Sequence, residues 1–334
     1  MPVSSANGRA GMTEVTLITL SYNSGIHTQK CLQALSGLGC EVVHADNGST
    51  DIDMDALAEE FPQVRQIRNT QNLGFAKGMN QAAATATTQW IGFINPDAFV
   101  DRDWLWAMQR AIDAHPQVSI FTSLQVDAER PGVMDGAGDS VTFFGFPYRS
   151  GFGHPVVQME MAEVFAPCGA AMLIRREVFE RLGGFDERFF CYCEDADLGF
   201  RARLTGEVTV FVPEAKVAHI GSASTSVRSD FALYHGYRNR LWLYAKSMPL
   251  WLLVLSLPVH VGLTLVGAIK DTLKGKAGIV WTAIFDALGG MGPILRSRKK
   301  IQRARTITAL RLAKSLTWNP VKIATRAMDH RRLP

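Results

Sequence analysis

The feature that most constrains the fold of this chain is the regular alternation, up to about residue 120, of short apolar or β-branched runs with helical patterns. Strands and helices that alternate in this way build βαβ units around a parallel sheet, and ligands bind beyond the carboxyl ends of its strands. The predicted elements are strands at 15–20, 41–45, 64–68 and 90–94 and helices at 25–38, 53–61 and 75–86. We therefore expect an α/β domain.

The second half of the chain is less regular. The segment 125–163 is rich in Gly, Phe and Pro and has no clean period, so it is predicted to be an irregular connection or flap. The elements predicted after it are a buried strand at 165–174, a helix at 176–182 that ends at Gly183-Gly184, a helix at 194–204 and a strand at 208–212.

A segment near the C-terminus is apolar enough to suit a membrane. Residues 249–269 contain no Asp, Glu, Lys or Arg, although Pro258 and His260 interrupt the Leu-rich run. Three interpretations stay open: a span, a buried helical core, or in-plane docking, which the central Pro-x-His and the basic residues downstream favour. The basic residues are Arg296, Arg298, Lys299, Lys300, Arg303, Arg305, Arg311 and Lys314. An anionic membrane surface suits them better than nucleic acid does, because the apolar segment precedes them.

The chain length and the spacing of the cysteines indicate the cellular compartment in which the protein works. A chain of 334 residues can bury a sizeable core without disulfides, and its five cysteines lack the spacing of a zinc site, so we expect reduced thiols. No signal-peptide pattern is found, so the catalytic part is expected in the cytoplasm. The predicted divisions are a disordered segment at 1–13, a catalytic domain at 14–245 and a helical membrane-docking region at 246–334.

Polar clusters follow the second and the fourth predicted strands. Residues 46–51 either form a turn that caps the next helix or bind a nucleoside, with Asp46 accepting a hydrogen bond from a base N–H. In Asn95-Pro96-Asp97 a hydrophobic strand delivers a carboxylate to the edge of the sheet. Since Mg²⁺ or Mn²⁺ commonly takes one or two protein carboxylates together with diphosphate oxygens and water, Asp97 is a candidate metal ligand, and an Asx-type turn is the alternative.

Two further segments are candidates for ligand binding. Residues 72–80 place Gly74 and Gly78 at a helix start, where backbone amides can approach a phosphate and Lys77 adds charge. The spacing is neither a Walker loop nor a dinucleotide fingerprint, and a Gly-rich helix entry with a solvated lysine is the alternative. His219 follows the last predicted strand and is a candidate ligand for the same metal, although a lone histidine is more often structural.

The densest acidic group in the chain is Glu194-Asp195-Ala196-Asp197, which follows the aromatic and apolar run 189–193. The apolar approach is expected to desolvate Glu194 or Asp195 and to tune it for general-base work. Asp197 lies one helical turn before Arg201 and is expected to pair with it.

The motifs that carry a family resemblance are Tyr22-Asn23, 46–51, 72–80, Asn95-Pro96-Asp97, 169–175, 183–187 and 194–201. In this order and spacing they resemble the inverting glycosyltransferase family 2, and most of all its rhamnosyltransferase-like branch of bacterial surface polysaccharide synthesis. The resemblance covers roughly residues 14–245. The set is far more specific than any one of its motifs.

The resemblance implies a GT-A fold, which is a Rossmann-like, mostly parallel sheet flanked by helices, and a divalent metal, Mg²⁺ or Mn²⁺. The expected ligands of the metal are Asp97 and His219, since Asn95 replaces the first acid of the family's Asp-x-Asp motif. Asp195, next to Glu194, is implied as the catalytic base. The candidate donor-binding residues are Thr19, Tyr22, Asn23, Asp46, Asn47, Ser49, Gly74, Lys77, Asn80, Asn95 and Pro96. The candidate acceptor-binding residues are Gly169, Ala170, Tyr192 and Arg238.

The expected reaction is a single in-line displacement, in which Asp195 deprotonates the acceptor hydroxyl and the anomeric carbon is inverted. The expected donor is a dTDP- or UDP-sugar, with dTDP-rhamnose first, and the expected acceptor is a polyprenyl-diphosphate-linked glycan. We expect a peripheral or monotopic protein on the cytoplasmic face of the inner or plasma membrane. A homodimer is compatible with this expectation, and nucleic acid is not expected as a partner. The alternatives are a metal-dependent nucleotidyltransferase and a non-catalytic membrane scaffold with the same fold.

Overall fold

The computed structural model of the protein describes residues 14–221 and 229–333, so the segment 1–13, expected to be disordered, lies outside the described residues. The strands are β1 Val15–Ser21, β2 Glu41–Asp46, β3 Arg65–Arg68, β4 Trp90–Ile94, β5 Ala98–Val100, β6 Ile120–Asp127, β7 Met134–Ala137, β8 Asp139–Val141, β9 Pro147–Arg149, β10 Ala162–Val164, β11 Ala171–Arg175 and β12 Thr209–His219. The helices are α1 Gly25–Ser36, α2 Met54–Glu60, α3 Phe75–Ala83, α4 Trp104–Ala114, α5 Arg176–Leu182, α6 Glu194–Leu204, α7 Asp230–Ser247, α8 Leu250–Asp271, α9 Ala277–Gly289, α10 Met291–Ala304, α11 Ala309–Ser315 and α12 Pro320–Thr325.

Within the described ranges, ten strands form one sheet in the order β10-β12-β6-β11-β4-β1-β2-β3, with β5 paired to β12 and β7 to β6. The strands β3, β2, β1 and β4 are parallel, as the alternation predicts, and β6 is parallel to β12. By contrast, β11 runs antiparallel to both β4 and β6. The sheet is therefore mixed rather than mostly parallel, and its parallel half contains the polar strand ends. The strands β8 and β9 form a separate antiparallel hairpin.

The elements predicted up to β4 end within about three residues of the observed ones, whereas β5 and α4 were not predicted. Three later predictions need correction. The buried strand expected at 165–174 begins only at Ala171, because Pro167 and Gly169 interrupt it and the Gly169 N–H bonds a side chain instead. The strand expected at 208–212 runs on to His219 as β12, past an irregularity after Val212. The segment 125–163 is not wholly irregular, since it contains the short strands β7 to β10.

Helices cover both faces of the sheet because successive strand residues point to opposite sides. On one face α1 and α4 bury Leu32 and Met108. On the other face α3 and α5 bury Met79 and Phe179, whose ring lies 5.1 Å from that of Phe93 in β4. Full burial of each such side chain stabilises the fold by about 1.5–3 kcal/mol, which fixes the strand ends that carry the polar clusters.

Helix α8 reverses the usual placement of polar side chains. α8 buries Ser256, His260 and Thr264, whereas Leu255 and Val266 on its outer side are 64% and 63% exposed. The segment Leu250–Gly289 is long and apolar enough to cross a membrane by length and composition, and only 28% of its most apolar window is buried. Most of this window is therefore not buried within the described chain, which disfavours the interpretation as a buried helical core. Gly275, with a φ of 80°, separates α8 from α9.

Candidate active site

A cavity of about 380 Å³ opens at the carboxyl ends of β1, β2 and β4, where the parallel strands are expected to present a ligand site. Its volume lies within the range of about 300–1,000 Å³ that is usual for small-molecule sites. The predicted site residues that line it are Tyr22, Asn23, Asn47, Gly74, Asn95, Pro96, Asp97, Tyr192 and His219. Strand ends that are distant in the sequence therefore meet at one edge of the sheet.

Asp46 shapes one wall of the cavity without lining it. Its Oδ2 atom accepts hydrogen bonds from the backbone N–H groups of Gly48 and Ser49, both at 2.9 Å, and its Oδ1 atom accepts from the hydroxyls of Ser21 and Ser49. Four donors thus contact the carboxylate, and Asp46 is not among the residues that line the cavity, so its expected contact with a nucleobase stays a prediction. The structure gives Asp46 and Ser49 the role of ordering the loop that presents Asn47.

Gly74 marks the place where the start of α3 meets the opposite wall. Its φ is 80°, and a Cβ atom there would lie 2.5 Å from the ring of Phe190. Only glycine fits, for both reasons. The carbonyl of Gly74 accepts a hydrogen bond from Asn47 Nδ2 at 3.1 Å, and its N–H donates to Asn72 Oδ1 at 2.9 Å. The predicted phosphate segment is therefore tied to the β2 loop by side-chain amides.

Three other predicted donor-binding residues lie outside the cavity wall. The Thr19 side chain is buried inside β1, and Lys77 is exposed on the outer side of α3. Asn80 is occupied by the backbone of Phe185, to which its Nδ2 donates and from which its Oδ1 accepts, each at 2.8 Å. The face that α3 turns to the sheet decides this outcome, because Gly78 must pack against Leu20.

The adjacent strands β5 and β12 bring the two predicted metal ligands together. Asp97 directly precedes β5, and His219, the last residue of β12, lies opposite Ala98 in the antiparallel register. His219 Nε2 lies 3.4 Å from Asp97 Oδ1, and its Nδ1 lies 2.6 Å from Asp135 Oδ2. Because a carboxylate only accepts hydrogen bonds, Nδ1 carries a proton toward Asp135, and Nε2 faces Asp97.

The Asp97 and His219 atoms fit a divalent cation. Within the described residues, His219 Nε2 is buried and makes no hydrogen bond. Burial acts to lower the pKa of His219, but the carboxylates of Asp135 and Asp97 outweigh it and raise the pKa above its usual value, so this corner attracts positive charge. Two ligands about 2.1 Å from Mg²⁺ and at right angles stand about 3 Å apart, close to the separation found here. Asp97 and His219 can therefore hold Mg²⁺ or Mn²⁺.

A second acidic group is a poorer metal site. Ligand atoms of Asp139, Cys168 and Asp195 lie within 4.8 Å of one another. Burial raises the pKa of the Cys168 thiol to about 12, and burial together with the charge of Asp195 raises the pKa of Asp139 well above its usual range. A protonated thiol is a poor ligand for a hard cation. This group is better suited to hold a proton beside Asp195 than to hold a metal.

Asp195 lies in the first turn of α6, where the helix N-terminus stabilises a carboxylate. Its Oδ2 accepts a hydrogen bond from the Gly169 N–H at 2.8 Å, and a Cβ atom at Gly169 would lie only 3.1 Å from that oxygen. Asp195 is half-buried, whereas Glu194 is buried, and desolvation raises the pKa of Glu194 well above its usual range. Glu194 therefore favours its neutral form, and its expected catalytic role beside Asp195 stays a prediction.

The predicted acceptor-binding residues have different positions. Tyr192 lines the cavity, whereas Gly169 and Ala170 lie behind it, where the Ala170 carbonyl accepts from the Asn95 N–H at 2.9 Å. The Arg238 guanidinium is turned to the backbone and donates to the carbonyl of Phe189 at 3.0 Å. Gly169, Ala170 and Arg238 thus position other site residues, and the structure does not place them in the cavity wall.

The segment that leads into α6 is held in an unusual conformation. Phe190, Tyr192 and Cys193 have φ values of 65°, 71° and 65°, which cost on the order of 1–3 kcal/mol each. The buried side chain of Asn239 offsets this cost, because its Nδ2 donates to the carbonyls of Phe189, Cys191 and Tyr192 at 2.8–2.9 Å. The result aims Tyr192 into the cavity and sets the entry of α6. Asp197 pairs with Arg201 at 2.8 Å, as predicted.

Sequence reasoning missed three charged residues of the site, all within the predicted flap. Asp135 bonds His219, Asp139 lies beside Asp195, and Arg149 lines the cavity. Arg149 and Asp139 are opposite each other in the β8–β9 hairpin, and Arg149 Nη1 donates to Asp135. The run Asp135-Gly-Ala-Gly-Asp139, which places two acids around two glycines, is the sequence signal that was available.

Solved structures with the same fold identify the class. GalNAc-T7 with UDP, GalNAc and Mn²⁺ matches with a TM-score of 0.54 at 17% identity, over 70% of this chain and 50% of that one. The mannosyltransferase PcManGT from Pyrobaculum calidifontis, in complex with GDP-Man and Mn²⁺, matches with a TM-score of 0.53 at 17% identity, over 90% of this chain and 86% of that one. These matches show that the chain has a GT-A fold.

The family follows from the sequence. The model of glycosyl transferase family 2 matches residues 16–183, and the chain belongs to that family. It is 29% identical over 257 residues to the N-acetylglucosaminyl-diphospho-decaprenol L-rhamnosyltransferase of Mycobacterium tuberculosis, which covers 67% of this chain and 82% of that protein. The expected family, its rhamnosyltransferase-like character and the expected GT-A fold are therefore confirmed.

Proposed function

We propose that this glycosyltransferase moves L-rhamnose from dTDP-rhamnose, with inversion, onto a hydroxyl of a polyprenyl-diphosphate-linked glycan during surface polysaccharide synthesis. The name of the Mycobacterium relative, an L-rhamnosyltransferase for a decaprenol-linked acceptor, supports both the sugar and the acceptor. The observation that carries the proposal is the buried Asp97–His219 pair, which opens onto a cavity of nucleotide size at the strand ends.

In the proposed reaction, Asp195 accepts the proton of the acceptor hydroxyl as its oxygen attacks the anomeric carbon in line with the departing diphosphate. The Gly169 N–H holds one oxygen of the carboxylate, which leaves Asp195 oriented before the acceptor arrives. A positioned base contributes a factor of about 10²–10⁴ to the rate. Bound to Asp97 and His219, the divalent cation would supply Lewis-acid stabilisation of the charge on the diphosphate.

The walls of the cavity suggest how the donor lies. Tyr22, Asn23 and Asn47 line the side formed by β1 and β2, and we assign them to the nucleoside. Asp97 and His219 lie on the side formed by β4 and β12, where the diphosphate would meet the cation. The reactive sugar would then lie toward Tyr192, on the segment that leads to Asp195.

Membrane docking is part of the proposed function, and α8 supports it. A helix in water buries its apolar side, but α8 buries Ser256, His260 and Thr264 and exposes leucines and valines. Such a helix is matched to a surrounding of hydrocarbon. Lys270, Lys274 and Lys276 follow the apolar stretch and suit an anionic headgroup layer. We assign 14–245 to catalysis and 246–334 to peripheral or monotopic docking on the cytoplasmic face.

The test is a donor panel with a lipid-linked acceptor. Purified protein is incubated with dTDP-, UDP- and GDP-sugars and with Mg²⁺ or Mn²⁺, and products are identified by mass spectrometry. The proposal expects transfer from dTDP-rhamnose that needs the cation. Transfer of another sugar would show that the proposed donor is wrong, but the protein would still be a glycosyltransferase. Release of diphosphate from a nucleoside triphosphate, without sugar transfer, would instead indicate a nucleotidyltransferase.

A further inference from the structure

The donor cavity has few groups that can balance a diphosphate. Its walls contain amides, the Asp97 carboxylate and the His219 imidazole, and among the described wall residues Arg149 is the only arginine or lysine. Lys77, which the sequence assigns to this task, is exposed on the far side of α3. Phosphate oxygens are bound most strongly by charge-assisted hydrogen bonds, and arginine can form two at once. The position of Arg149 therefore bears on how the donor is held.

The Arg149 guanidinium lies against the proposed cation site. Its Nη1–H donates to Asp135 Oδ2, the same oxygen that lies 2.6 Å from His219 Nδ1. A guanidinium has five N–H groups, so the bond to Asp135 leaves four for other partners. A phosphate that reaches a cation at Asp97 and His219 would also come within reach of this side chain.

The Arg149 side chain is held at its stem and remains partly exposed. Gly136 makes room for the stem, since a Cβ atom at that position would lie 2.7 Å from Arg149 Cγ. The Arg149 side chain remains 32% exposed, whereas that of its partner Asp135 is only 10% exposed. An ion pair that served the fold alone would gain nothing from leaving the cation open to the cavity. The arrangement instead fits an arginine that is fixed in place before its ligand binds.

We propose that Arg149 binds the diphosphate of the nucleotide-sugar donor, beside the cation held by Asp97 and His219. This inference rests on the proposed function, because it takes a nucleoside diphosphate as the occupant of the cavity. It also gives the β8–β9 hairpin a place in the binding site, as the element that carries Arg149. The positive charge of Arg149 attracts the negative diphosphate. A ligand without phosphate would not make this contact with Arg149.

The test measures binding of a nucleoside diphosphate, and separately of the nucleoside, to the full-length protein by calorimetry in the presence of Mg²⁺. Arg149→Gln should weaken binding of the diphosphate by about 10- to 100-fold, the range expected for a charge-assisted hydrogen bond. Binding of the nucleoside should change less than about twofold. Arg149→Lys, which keeps the charge, should recover part of the loss. Arg110→Gln, on the exposed face of α4 over Trp106, is the matched control.

Three results would overturn the inference. Unchanged diphosphate binding in Arg149→Gln would remove Arg149 from the site. An equal loss for nucleoside and diphosphate would make Arg149 a structural residue. A loss of diphosphate binding in Lys77→Gln but not in Arg149→Gln would assign binding of the diphosphate to Lys77. A wild-type protein that transfers sugar while Arg149→Gln binds normally defeats this inference alone, whereas a wild-type protein that binds no nucleotide defeats the proposed function as well. If Arg149→Gln does not fold, Arg149→Lys decides, with donor KM against kcat as the measure.

Discussion

The helices α3 and α8 distribute their side chains in opposite ways. α3 buries Met79 and Ala82 against the sheet and exposes Lys77, as a helix in water should. α8 buries His260 and exposes Leu255. The difference teaches that the two helices suit different surroundings. α3 packs as a helix in water does, whereas the outer face of α8 suits the membrane docking that we propose. Substitutions in the two regions should therefore separate chemistry from location.

The largest effect is expected from the base. Asp195→Asn keeps the size of the side chain and its bond to the Gly169 N–H but removes the proton acceptor. We expect kcat for sugar transfer to fall about 10²–10⁴-fold, equally for a lipid-linked and a short soluble acceptor. Steady-state kinetics with both acceptors measure this loss. Loss with the lipid-linked acceptor alone would break the comparison, because chemistry would then depend on the membrane-facing region.

The cation site should give the next largest effect. Asp97→Asn removes the charged ligand, and we expect kcat/KM to fall about 10²–10³-fold, as for the loss of one electrostatic contact to a developing anion. Titration with Mn²⁺ should show weakened activation. If the variant keeps the activation curve of the wild-type protein, Asp97 is not a ligand of the cation.

A smaller effect is expected at Asp135, which contacts His219 rather than the cation itself. Asp135→Asn weakens the hydrogen bond that orients His219, and outer-shell partners of this kind contribute about 10- to 100-fold in metal affinity. We expect a shifted Mn²⁺ activation curve with a kcat close to normal at saturating Mn²⁺. A fall in kcat that no concentration of cation restores would instead assign Asp135 to the reaction itself.

The outer face of α8 should give the smallest effect on chemistry. Leu255→Glu removes an exposed leucine whose transfer to hydrocarbon contributes about 2 kcal/mol, so binding to anionic vesicles should weaken at least about tenfold in a flotation assay. Transfer to a soluble acceptor should remain within about twofold. Trp106→Glu, a similarly exposed apolar residue on α4, is the control and should leave vesicle binding unchanged. Equal losses in both variants would contradict docking through α8.

Much of the site could be predicted because it depends on local rules. Asp97 and His219 each lie at a strand end, and parallel strand ends meet at one edge. Lys77 was misplaced because the packing of Gly78 on Leu20, which no local pattern reveals, decides which side of α3 faces the sheet. Arg149 was missed for a related reason.

The hairpin that carries Arg149 is placed by contacts that are distant in the sequence. Phe143, in the turn of the hairpin, stacks on Trp318 with ring centroids 4.7 Å apart. The carbonyl of Phe144 lies 2.8 Å from His260 Nδ1 in α8. A segment without a clean period is thus held in place by α8 and by the loop before α12, both far along the chain. Only the structure brings the predicted flap, α8 and the candidate donor cavity together.

The anomeric configuration of the product tests the account most directly. With Asp195 as the base for the acceptor and one cavity for the donor, the proposed transfer is a single displacement. The product is isolated after transfer from a donor of known configuration, and the one-bond carbon–proton coupling at the anomeric carbon is measured by NMR. We predict a configuration opposite to that of the donor. A product with the configuration of the donor would contradict the single displacement and the role of Asp195 as the base.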